Sequence, residues 1–490
     1  MNRNNIWIHI GLAVVLLSLA AVVGQIERWR VMLKSNNTEV NRVEKKLTDA
    51  RKSLGADEAE VLVRFKPGVS VKQIRAIAAA NNDSMSDEIE SVNGLAVIDD
   101  LDNADAASVA AQYGAMAEVA YAEPNYQIKL DDPIQKESPI DLLYRTGAPR
   151  TKLMPNDPMF DEQWALRNSG RNGGTEKADI DAITAWAKTK GSRDVVVAVL
   201  DSGVDYRHED LDSNMWTRPE KLAPYFDDEL GAFADEHGFD SANATAADGT
   251  SHARGNGVAM SDPMDDNGHG THCAGIIGAE GDNGIGISGI NQKVKIMPLK
   301  FLGRGGSGTT EDAIAAINYA IDRKKNGVNL RIISASWGST SYSKALEDTI
   351  RAAGDAGILF VAAAGNDGSN NDKRPHYPSN YDLPNVISVA ALDRNDKLAS
   401  FSNFGLKTVH IAAPGKDILS TWLNDGYREA SGTSMATPYV SGVAALIIAN
   451  EPKITMEKLR AKLLSSADKL DSLSGKVANS GRVCAANATE

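Results

Sequence analysis

The sequence predicts an α/β protein with a doubly wound, mostly parallel sheet, helices on both of its faces and a small α+β domain in front of it. Two observations point to the large sheet. Short apolar runs typical of buried parallel strands recur from residue 195 onward, as in VVVAVL, VKIMPLKFL, LRIISAS, ILFVAAA and VISVAAL. Amphipathic stretches of helical period lie between these runs, which is the alternation that βαβ crossovers produce.

Composition limits the possible partners. The chain has 490 residues, of which 42% are hydrophobic and 24% charged, so it can bury a sizeable core. Its net charge of −13, with no basic stripe, argues against a nucleic-acid partner, because phosphate binding needs clustered Lys and Arg. Cys273 and Cys484 are the two cysteines and lie far apart, so neither a disulfide framework nor a cysteine zinc site is indicated.

The N-terminus carries an export segment. Residues 6–26 are almost entirely apolar and follow a single positive charge at Arg3. The stretch suits a signal peptide, yet it is also just long enough to span a bilayer, and Arg28 and Arg30 follow it at once. Residues 1–30 are therefore a signal peptide or an uncleaved membrane anchor. In either case we expect a secreted, periplasmic or membrane-anchored protein that faces away from the cytoplasm.

The remaining chain divides into four segments. Residues 31–57 are polar and helix-prone, which predicts a helical tether. Residues 58–130 read as strand, helix, strand, helix, strand, which predicts a two-layer α+β domain of the split βαβ, ferredoxin-like type. Residues 131–155 hold four prolines and no periodicity, so we expect an exposed linker that is open to proteolysis. Residues 156–490 form the large domain, interrupted at 212–266 by an acidic insertion for which a disordered or flap-like surface is an alternative.

Two long helices are predicted in the large domain. The stretch TEDAIAAINYAIDRKKNG should form an amphipathic helix that stops at Gly327. The apolar stretch YVSGVAALIIAN should form a buried helix with Pro438 in its first turn, where a missing N–H is tolerated. Ser434 then stands at the mouth of this helix. The apolar face of the first helix consists of Ala313, Ile314, Ile317 and Ile321.

Polar residues with the chemistry of acyl transfer follow the predicted strands. In doubly wound sheets ligands bind beyond the carboxyl ends of the strands. VVVAVL stops at Asp201, ILFVAAA stops just before Asn366, and NGHGTHCAG supplies His269. The hydroxyl of Ser434 would need a base and a group that orients that base, and the developing oxyanion would need preorganised donors. These residues supply each part of such a site.

Four motifs carry a family resemblance. VLDSGVDYRHEDL, GHGTHCAGIIG, AAGN and GTSMATPYVSGVAAL, in this order, resemble the subtilisin-like serine proteases. The resemblance implies a subtilisin-like fold for the large domain. It also makes Ser434 the nucleophile, His269 the general base and acid, Asp201 the carboxylate that orients His269, and Asn366 the side chain of the oxyanion hole.

The two histidines of HGTH allow three interpretations: a metal pair, a catalytic base, or spacers in a tight turn. Their spacing of three lacks the spacing of four and the glutamate of a zinc helix, which disfavours the metal. The resemblance makes His269 the catalytic histidine and His272 its structural neighbour.

The same resemblance implies where a peptide binds. GRGGSG and SASWG would form two edges between which an extended substrate pairs as an added strand. The pocket for the residue before the cut would lie along residues 362–365, with Trp337 at its wall and His376 near its base, although His376 could instead face solvent at the rim. The implied substrate-binding residues are Gly306, Ser307, Gly308, Ser336, Trp337, Gly338, Ala363, Ala364, Gly365 and His376.

A structural calcium site is also implied. The opening NDPMFDEQWAL resembles that of calcium-binding family members, and carboxylate, amide and carbonyl oxygens are the hard donors that Ca²⁺ prefers. The alternative is that these loop residues simply face solvent. The implied ligands are Asp157, Asp210 and Asn283 through side chains, and Glu280, Ile285 and Ile287 through backbone carbonyls.

The predicted function follows from these parts. Residues 58–130 resemble the family's propeptide, which covers the active-site face and is cut off in cis near the linker. We expect an exported serine endopeptidase, made as a self-processing zymogen, that acts on proteins or peptides and has its own propeptide as a partner in cis. The membrane is a further possible partner through the N-terminal segment. The alternative is a catalytically silent relative that serves as a binding module.

Overall fold

The computed structural model describes residues 59–102, 104–130, 134–135, 153–227, 231–233, 235–242 and 262–490. These residues belong to one compact unit, Ala59–Glu490. The predicted export segment, the predicted tether and most of the predicted linker lie outside the described residues. Within the described part, no helix is both long enough and apolar enough to cross a bilayer.

The N-terminal domain has the predicted split βαβ arrangement. Four antiparallel strands form a sheet in the order β2-β3-β1-β4, with two helices on one face. Val61 and Val63 pack with those helices in the domain's own core, whereas Leu62, between them, belongs to a core shared with the large domain. The elements are β1 (Glu60–Phe65), α1 (Val71–Ala80), β2 (Asp83–Glu88), β3 (Leu95–Asp100), α2 (Ala106–Gly114) and β4 (Val119–Pro124).

Strand β2 is absent from the sequence-based prediction, which placed three strands in this domain. Its sequence DSMSDE has one apolar residue, although it alternates as a strand should, with Asp83, Met85 and Asp87 buried. The Tyr113 hydroxyl donates to the Asp83 carboxylate at 2.6 Å, which satisfies part of this buried polar surface. A polar edge strand gives no hydrophobic period, so the sequence pattern could not reveal it.

The large domain contains the predicted mostly parallel sheet. Nine strands run in the order β10-β11-β7-β13-β14-β15-β16-β20-β19, and every neighbouring pair is parallel except the last. Its strands are β7 (Gly191–Asp201), β10 (Phe239–Asp240), β11 (Lys293–Lys300), β13 (Leu330–Ala335), β14 (Leu359–Ala363), β15 (Val386–Leu392), β16 (Ile411–Pro414), β19 (Asp468–Lys469) and β20 (Gly481–Arg482).

Shorter strands form small sheets outside this one. They are β5 (Gln127–Lys129), β6 (Ile134–Gln135), β8 (Phe226–Asp227), β9 (Gly231–Ala232), β12 (Ser307–Thr309), β17 (Ile418–Trp422) and β18 (Gly426–Ser431). The α-helices of the large domain are α3 (Ala182–Trp186), α4 (His269–Gly278), α5 (Thr310–Lys325), α6 (Lys344–Asp355), α7 (Thr433–Asn450), α8 (Met456–Ser465) and α9 (Ala485–Ala488).

Helices cover both faces of the large sheet, because alternate residues of its strands enter different cores. Along β7, Val197 and Val199 pack in the core that contains α4 and α7, while Val196 and Ala198 pack in the core that contains α5 and α6. This alternation gives the doubly wound architecture that the sequence predicted.

The sequence predicts Pro438 in the first turn of its helix. This prediction is wrong, because helix α7 begins at Thr433 and Pro438 therefore lies in the second turn. A proline there cannot donate to the carbonyl four residues earlier, which is that of Ser434. That carbonyl instead accepts from the Ser336 hydroxyl at 2.9 Å and from the Cys273 thiol at 3.6 Å. The helix therefore tolerates the proline because other donors replace the missing N–H.

The described part of the insertion is packed, whereas residues 228–230, 234 and 243–261 lie outside the described residues. Tyr225, Phe233 and Phe239 are each no more than 3% exposed. The Phe239 ring stacks on Tyr319 of α5 with centroids 4.8 Å apart, and Tyr225 meets the same ring edge-on at 5.1 Å. Aromatic residues spread over a polar, acidic segment thus form one cluster against α5.

Asp235 fastens the insertion to α5. Its fully buried carboxylate lies 3.0 Å from Arg218 Nε and 3.2 Å from Arg323 Nη1, and it accepts from the Tyr319 hydroxyl at 2.8 Å. The backbone N–H of Tyr225 donates to the same carboxylate at 3.1 Å. One acidic residue therefore neutralises two cations and joins the insertion to the helix.

The N-terminal domain sits on α5 and α6. Arg64 pairs with Asp348, and the Tyr121 hydroxyl donates to the same carboxylate at 2.9 Å. Glu123 accepts from the Ser343 hydroxyl and from the first two backbone N–H groups of α6, at 2.5, 2.9 and 3.1 Å. A carboxylate at this position satisfies donors that the helix itself cannot satisfy.

We predict that Asp235→Ala destabilises the chain by about 3–5 kcal/mol, because it removes the buried carboxylate that faces Arg218 and Arg323 and leaves the Tyr319 hydroxyl without this acceptor. The measurement is denaturant-induced unfolding in a Ser434→Ala background, which prevents self-cleavage from intervening. The matched control is Asp355→Ala on the exposed end of α6, where we expect a change within about 0.5 kcal/mol. Equal midpoints for the two variants would contradict the role given to Asp235.

Candidate active site

Four sequence-predicted side chains meet at the carboxyl end of the sheet. Asp201 is the last residue of β7, His269 the first of α4, and Ser434 lies in the first turn of α7. Asn366 follows the end of β14 by three residues. The His269 Nδ1 atom lies 2.8 Å from Asp201 Oδ1, and both side chains are at most 1% exposed. A buried carboxylate so placed holds the imidazole with its Nδ1–H as donor.

Ser434 is also buried, and its hydroxyl donates to the Ser336 carbonyl at 2.8 Å. Cys273 connects this serine to the acid–histidine pair. Its Sγ lies within 4.8 Å of the ligand atoms of Asp201 and His269 and 3.6 Å from the Ser434 carbonyl. Burial raises the pKa of the Cys273 thiol well above its usual value, so the thiol is protonated and a poor metal ligand at neutral pH.

The buried Asp265 carboxylate fixes the turn that carries His269. One oxygen accepts from the Ser202 hydroxyl at 2.9 Å and from the Gly268 N–H at 3.0 Å. The other accepts from the Thr271 N–H at 3.0 Å and from its hydroxyl at 2.6 Å. Burial raises the pKa of Asp265, while these donors oppose the rise. Asp265 thus connects the residue after Asp201 to both sides of His269.

Two glycines permit the close contacts of this turn. A Cβ on Gly270 would lie 2.0 Å from the Gly203 carbonyl oxygen, so only a glycine lets α4 approach the end of β7 this closely. Gly268 has φ +103°, and a Cβ there would meet the Trp422 ring at 2.5 Å. The glycines of the HGTH motif region therefore serve packing between elements.

His272 has a structural environment. Its Nε2 lies 3.0 Å from the Arg428 carbonyl and 3.1 Å from the Ile418 carbonyl, so it acts as a donor between them. Burial lowers the pKa of His272 to about 3, so the ring is neutral in the working pH range. Its contacts do not favour the metal-pair interpretation of the two histidines.

Sequence reasoning missed Lys300 and Asp265. Lys300 ends β11 in register with Asp201, and its Nζ donates to the Ser202 carbonyl and to the Asp266 carboxylate, both at 2.7 Å. These two bonds hold the backbone just after Asp201 and the segment that leads to His269. The sequence does show a lysine at the end of an apolar strand and two acids shortly before HGTH. Single charged residues next to motifs are too common, however, to be identified as site residues from sequence.

The Asn366 amide is arranged as a donor. Its oxygen accepts from the Thr433 N–H at 2.8 Å and from the Thr433 hydroxyl at 3.0 Å. Its buried Nδ2 has no hydrogen-bond partner among the described residues. A buried donor without an acceptor is rare in folded proteins, and this one lies beside Gly432, 3.4 Å from the position of a Cβ there.

The two predicted substrate edges hold a strand of the chain itself. Strand β5 pairs antiparallel with β12, with Lys129 opposite Ser307, and the Leu130 N–H donates to the Gly306 carbonyl at 2.8 Å. An isolated bridge joins Lys129 to Gly338 on the other edge. The end of the N-terminal domain therefore lies between the two edges as an added strand.

The predicted pocket residues are close to one another. Ala363 ends β14, and Ala364 and Gly365 follow it. His376 is 3% exposed, and its ring contacts both Gly338 and Gly365, so it does not face solvent at a rim.

Trp337 is more deeply buried than a pocket wall requires. It is 1% exposed, its ring lies 4.7 Å from that of Phe301, and its indole N–H donates to the Leu200 carbonyl at 3.0 Å. It belongs to the apolar core that also contains Ile128 and Leu130.

The predicted calcium ligands form one loop cluster. Asp157 and Asp210 are both fully buried. Burial raises the pKa of Asp210 to about 7, and repulsion from Asp157 adds to the rise. Burial likewise raises the pKa of Asp157 to about 6, and repulsion from Asp282 adds to it. Asn283 Nδ2 donates to Asp210 Oδ1 at 2.8 Å. Among the described residues Asp210 Oδ1 accepts this one hydrogen bond, so its second lone pair can bind a cation. Two buried carboxylates in an oxygen-rich loop fit Ca²⁺ chemically.

Backbone bonds hold this loop together. Asp157 accepts from the N–H groups of Asp282, Asn283 and Gly284 at 3.0–3.3 Å. Asp210 Oδ2 accepts from the Ile287 N–H at 2.9 Å, and the Glu280 N–H donates to the Asp210 carbonyl at 2.8 Å. The carbonyl oxygens of Glu280, Ile285 and Ile287 are thus carried by a loop tied to both carboxylates.

Comparisons with known sequences agree with this architecture. The Subtilase family matches residues 192–481, and the Fervidolysin N-terminal prodomain matches residues 46–125. The chain is 34% identical over 438 residues to a thermophilic serine proteinase of Bacillus sp. (strain AK1), covering 88% of this chain and 87% of that protein. It is 36% identical over 320 residues to a cell wall-associated protease of Bacillus subtilis (strain 168), covering 65% of this chain but 31% of that protein.

A solved structure shows the same arrangement. Fervidolysin from Fervidobacterium pennivorans, described as a keratinolytic enzyme related to subtilisin, superposes with a TM-score of 0.65 at 25% identity. The match covers 89% of this chain and 61% of that one. The chain therefore belongs to the subtilase family of serine peptidases and carries a fervidolysin-type prodomain in front of its peptidase domain.

Proposed function

We propose that the chain is a self-processing serine endopeptidase, made as a zymogen, that hydrolyses peptide bonds through an acyl-enzyme on Ser434. One observation carries the proposal. The buried Asp201–His269 pair, with its 2.8 Å hydrogen bond, lies at the same end of the sheet as Ser434 and the buried amide of Asn366. The resemblance and the family membership support the same roles.

In the proposed mechanism Ser434 Oγ bonds to the carbonyl carbon of the substrate as its proton passes to His269 Nε2. The hydroxyl must first leave the Ser336 carbonyl, to which it now donates. Asp201 keeps Nδ1 as the donor nitrogen and stabilises the imidazolium. The C–N bond then breaks, and His269 returns the proton to the departing amine. Water repeats the sequence on the acyl-enzyme and frees Ser434.

The oxyanion of each tetrahedral intermediate would be stabilised by Asn366 Nδ2 and the Ser434 backbone N–H. The Asn366 side chain is fixed through its oxygen by two bonds from Thr433, so its N–H groups need little reorganisation when charge develops. This preorganisation lowers the barrier, because the donors are already oriented before the reaction.

Substrates would bind as strand β5 does, between residues 306–308 on one edge and Gly338 on the other. Backbone pairing on glycine-rich edges gives affinity with modest demands on sequence. In β5 and the residue after it, Ile128 and Leu130 are buried, whereas Lys129 is exposed. We therefore infer that protein or peptide substrates are read mainly at alternate, apolar positions.

The pocket for the residue before the cut would be formed by residues 363–365 and Ser336. The His376 ring, which lies against Gly338 and Gly365, would fill its base. We infer a short pocket that favours small or polar side chains over large aromatic ones.

The prodomain would be the first substrate. Leu130 is held on one edge of the cleft, and Ile134 pairs with Ser431, three residues before Ser434. The chain thus approaches the serine from one side and continues on the other. We propose that the first cut falls between Leu130 and Ile134, at the start of the segment 131–155, which we interpret as the activation linker.

Residues 58–130 then act as inhibitor and residues 156–490 as peptidase. Relatives named as cell wall-associated and extracellular proteases support a location outside the cytoplasm. Residues 1–30 would direct export, as a signal peptide or an anchor, and residues 31–57 would form the tether.

The loop cluster around Asp157 and Asp210 is our candidate for a structural Ca²⁺ site, with the Asn283 side chain and the carbonyls of residues 280, 285 and 287. Bound there, calcium would offset the repulsion between two buried carboxylates and stabilise the loop. It would take no part in the chemical steps.

We predict that Ser434→Ala abolishes self-cleavage and hydrolysis, because no nucleophile remains. Wild-type chain should lose the mass of its N-terminal part, cleave casein and react with a fluorophosphonate, whereas the variant should stay full length and inert. Mass spectrometry of the new N-terminus tests the position of the first cut. The control is Ser441→Ala, a serine on the same helix whose hydroxyl bonds to Ser334.

If the wild-type chain also stays full length and unreactive with calcium present, the binding-module alternative replaces this proposal. If cleavage occurs but begins elsewhere than between Leu130 and Ile134, the assignment of the first cut is wrong and the enzymatic function stands.

We predict that Asn366→Ala lowers kcat by about 100- to 1,000-fold with little change in KM, the loss that subtilisin itself shows for this type of donor. Steady-state hydrolysis of a small chromogenic peptide measures both constants. The matched control is Asn370→Ala in the same loop, whose side chain accepts from the Asp372 N–H. A loss confined to KM would mean that Asn366 binds substrate and does not stabilise the oxyanion.

We predict that calcium stabilises the chain by about 2–3 kcal/mol at a free concentration near 100 times Kd. Thermal unfolding of the Ser434→Ala chain in calcium and in EGTA measures this difference. Asp210→Asn should remove most of it, while Asp282→Asn, in the same loop but exposed, should retain it. Equal midpoints in calcium and EGTA for the parent chain would contradict the site.

A further inference from the structure

Asn318 of α5 lies where the insertion and the prodomain meet. It is 6% exposed, its side-chain oxygen accepts from the Ser91 N–H at 2.9 Å, and its Nδ2 donates to the Glu90 carboxylate. The same Nδ2 lies 3.3 Å from the Tyr225 hydroxyl of the insertion. One amide thus bonds to two residues of the prodomain turn between β2 and β3 and to one aromatic residue of the insertion.

The insertion forms a wall beside this turn. Tyr225 and Phe226 line a surface cleft together with Glu90 and Ser91 of the prodomain, and residues of α5 form its floor. Tyr225 is held in place by the aromatic cluster and by its backbone bond to Asp235. The position of its hydroxyl is therefore set by the packed insertion.

This contact is separate from the substrate cleft. Asn318 lies nine residues beyond Thr309, the N-cap of α5 at the substrate edge. At a rise of about 1.5 Å per residue, that places it roughly 13 Å along the helix from the cleft. A substrate paired with β12 would not need to displace it.

We propose that the insertion forms part of the binding surface for the prodomain and, with Asn318, sets how long the cleaved prodomain stays bound. The proposal rests on the proposed zymogen function. After the first cut, strand β5 becomes the end of a product and can leave the cleft. The prodomain remains attached through its sheet face, and the Glu90–Ser91 turn adds to that attachment through α5 and the insertion. Two linked contacts hold a partner longer than either does alone.

The contact is tested first in uncut Ser434→Ala chain by hydrogen exchange at the Ser91 amide, which donates to Asn318. Asn318→Ala should speed this exchange about tenfold, because it removes the acceptor of the Ser91 N–H. Tyr225→Phe should speed it about threefold, because it removes the hydroxyl that accepts from Asn318 Nδ2. The Leu130 amide in the cleft should be unchanged. The matched control is Asn326→Ala at the end of the same helix, whose side chain bonds to Asp322 within the helix.

The regulation is tested in the full chain with Ser434 intact. Mass spectrometry gives the time of the first cut, and a small chromogenic peptide gives the time at which full hydrolytic activity appears. The delay between the two reports release of the prodomain. Asn318→Ala should shorten this delay about tenfold and Tyr225→Phe about threefold, while Asn326→Ala should leave it unchanged.

The outcomes separate the two proposals. If Asn318→Ala matches Asn326→Ala in both measurements, the contact does not retain the prodomain. If Asn318→Ala is faster but Tyr225→Phe equals the parent chain, the insertion has no part in it and the proposal fails. If the chain with Ser434 neither cuts itself nor hydrolyses peptide, the proposed function fails, and with it the regulatory claim, while the exchange measurement still decides whether the contact exists.

Discussion

The hydrogen bonds of one buried carboxylate, Asp265, fix the active-site end of the sheet. They reach the Ser202 hydroxyl after β7 and the backbone on both sides of His269, so two elements that are distant in sequence keep one spacing. Lys300 adds a bond to the Ser202 carbonyl from the neighbouring strand. The 2.8 Å bond between Asp201 and His269 is thus determined by the frame around it, since neither side chain has room to adjust independently.

A second set of hydrogen bonds holds Ser434 next to the Asp201–His269 pair. Pro438 removes the N–H that would have bonded to the Ser434 carbonyl, and Ser336 and Cys273 bond to that carbonyl instead. The Ser434 hydroxyl in turn donates to the Ser336 carbonyl. Helix α7 is therefore attached at its first turn to the end of β13 and to the middle of α4. A proline that weakens a helix locally here provides a fixed attachment at the site.

The sequence predicted those features that depend on regular patterns of apolar and polar residues. Apolar runs located the central strands, and the residues that end them located Asp201, Asn366 and the cleft, because parallel strands bring their carboxyl ends together. It could not predict β2, whose buried positions include two aspartates, nor the packed insertion, whose aromatic residues are scattered and meet only in three dimensions. Asp265 and Lys300 carry no pattern, since their importance depends on partners far away in the chain. The position of Pro438 was misjudged because the helix starts inside the motif and not after it.

Helix α5 combines three of these features. Its N-terminus lies next to the substrate edge. There the first two N–H groups of the helix donate to the Tyr126 carbonyl and to the Asn125 side chain of the prodomain. Its middle bonds to the prodomain turn through Asn318, and its far end holds the insertion through Arg323. In the proposed function, peptide cleavage in the cleft would remove the constraint at the first of these places only. Because the helix is rigid over this length, the other contacts keep their geometry after the cut. Under the proposed zymogen function, activation would therefore require a second event after the cut, the loss of the prodomain from the middle of α5.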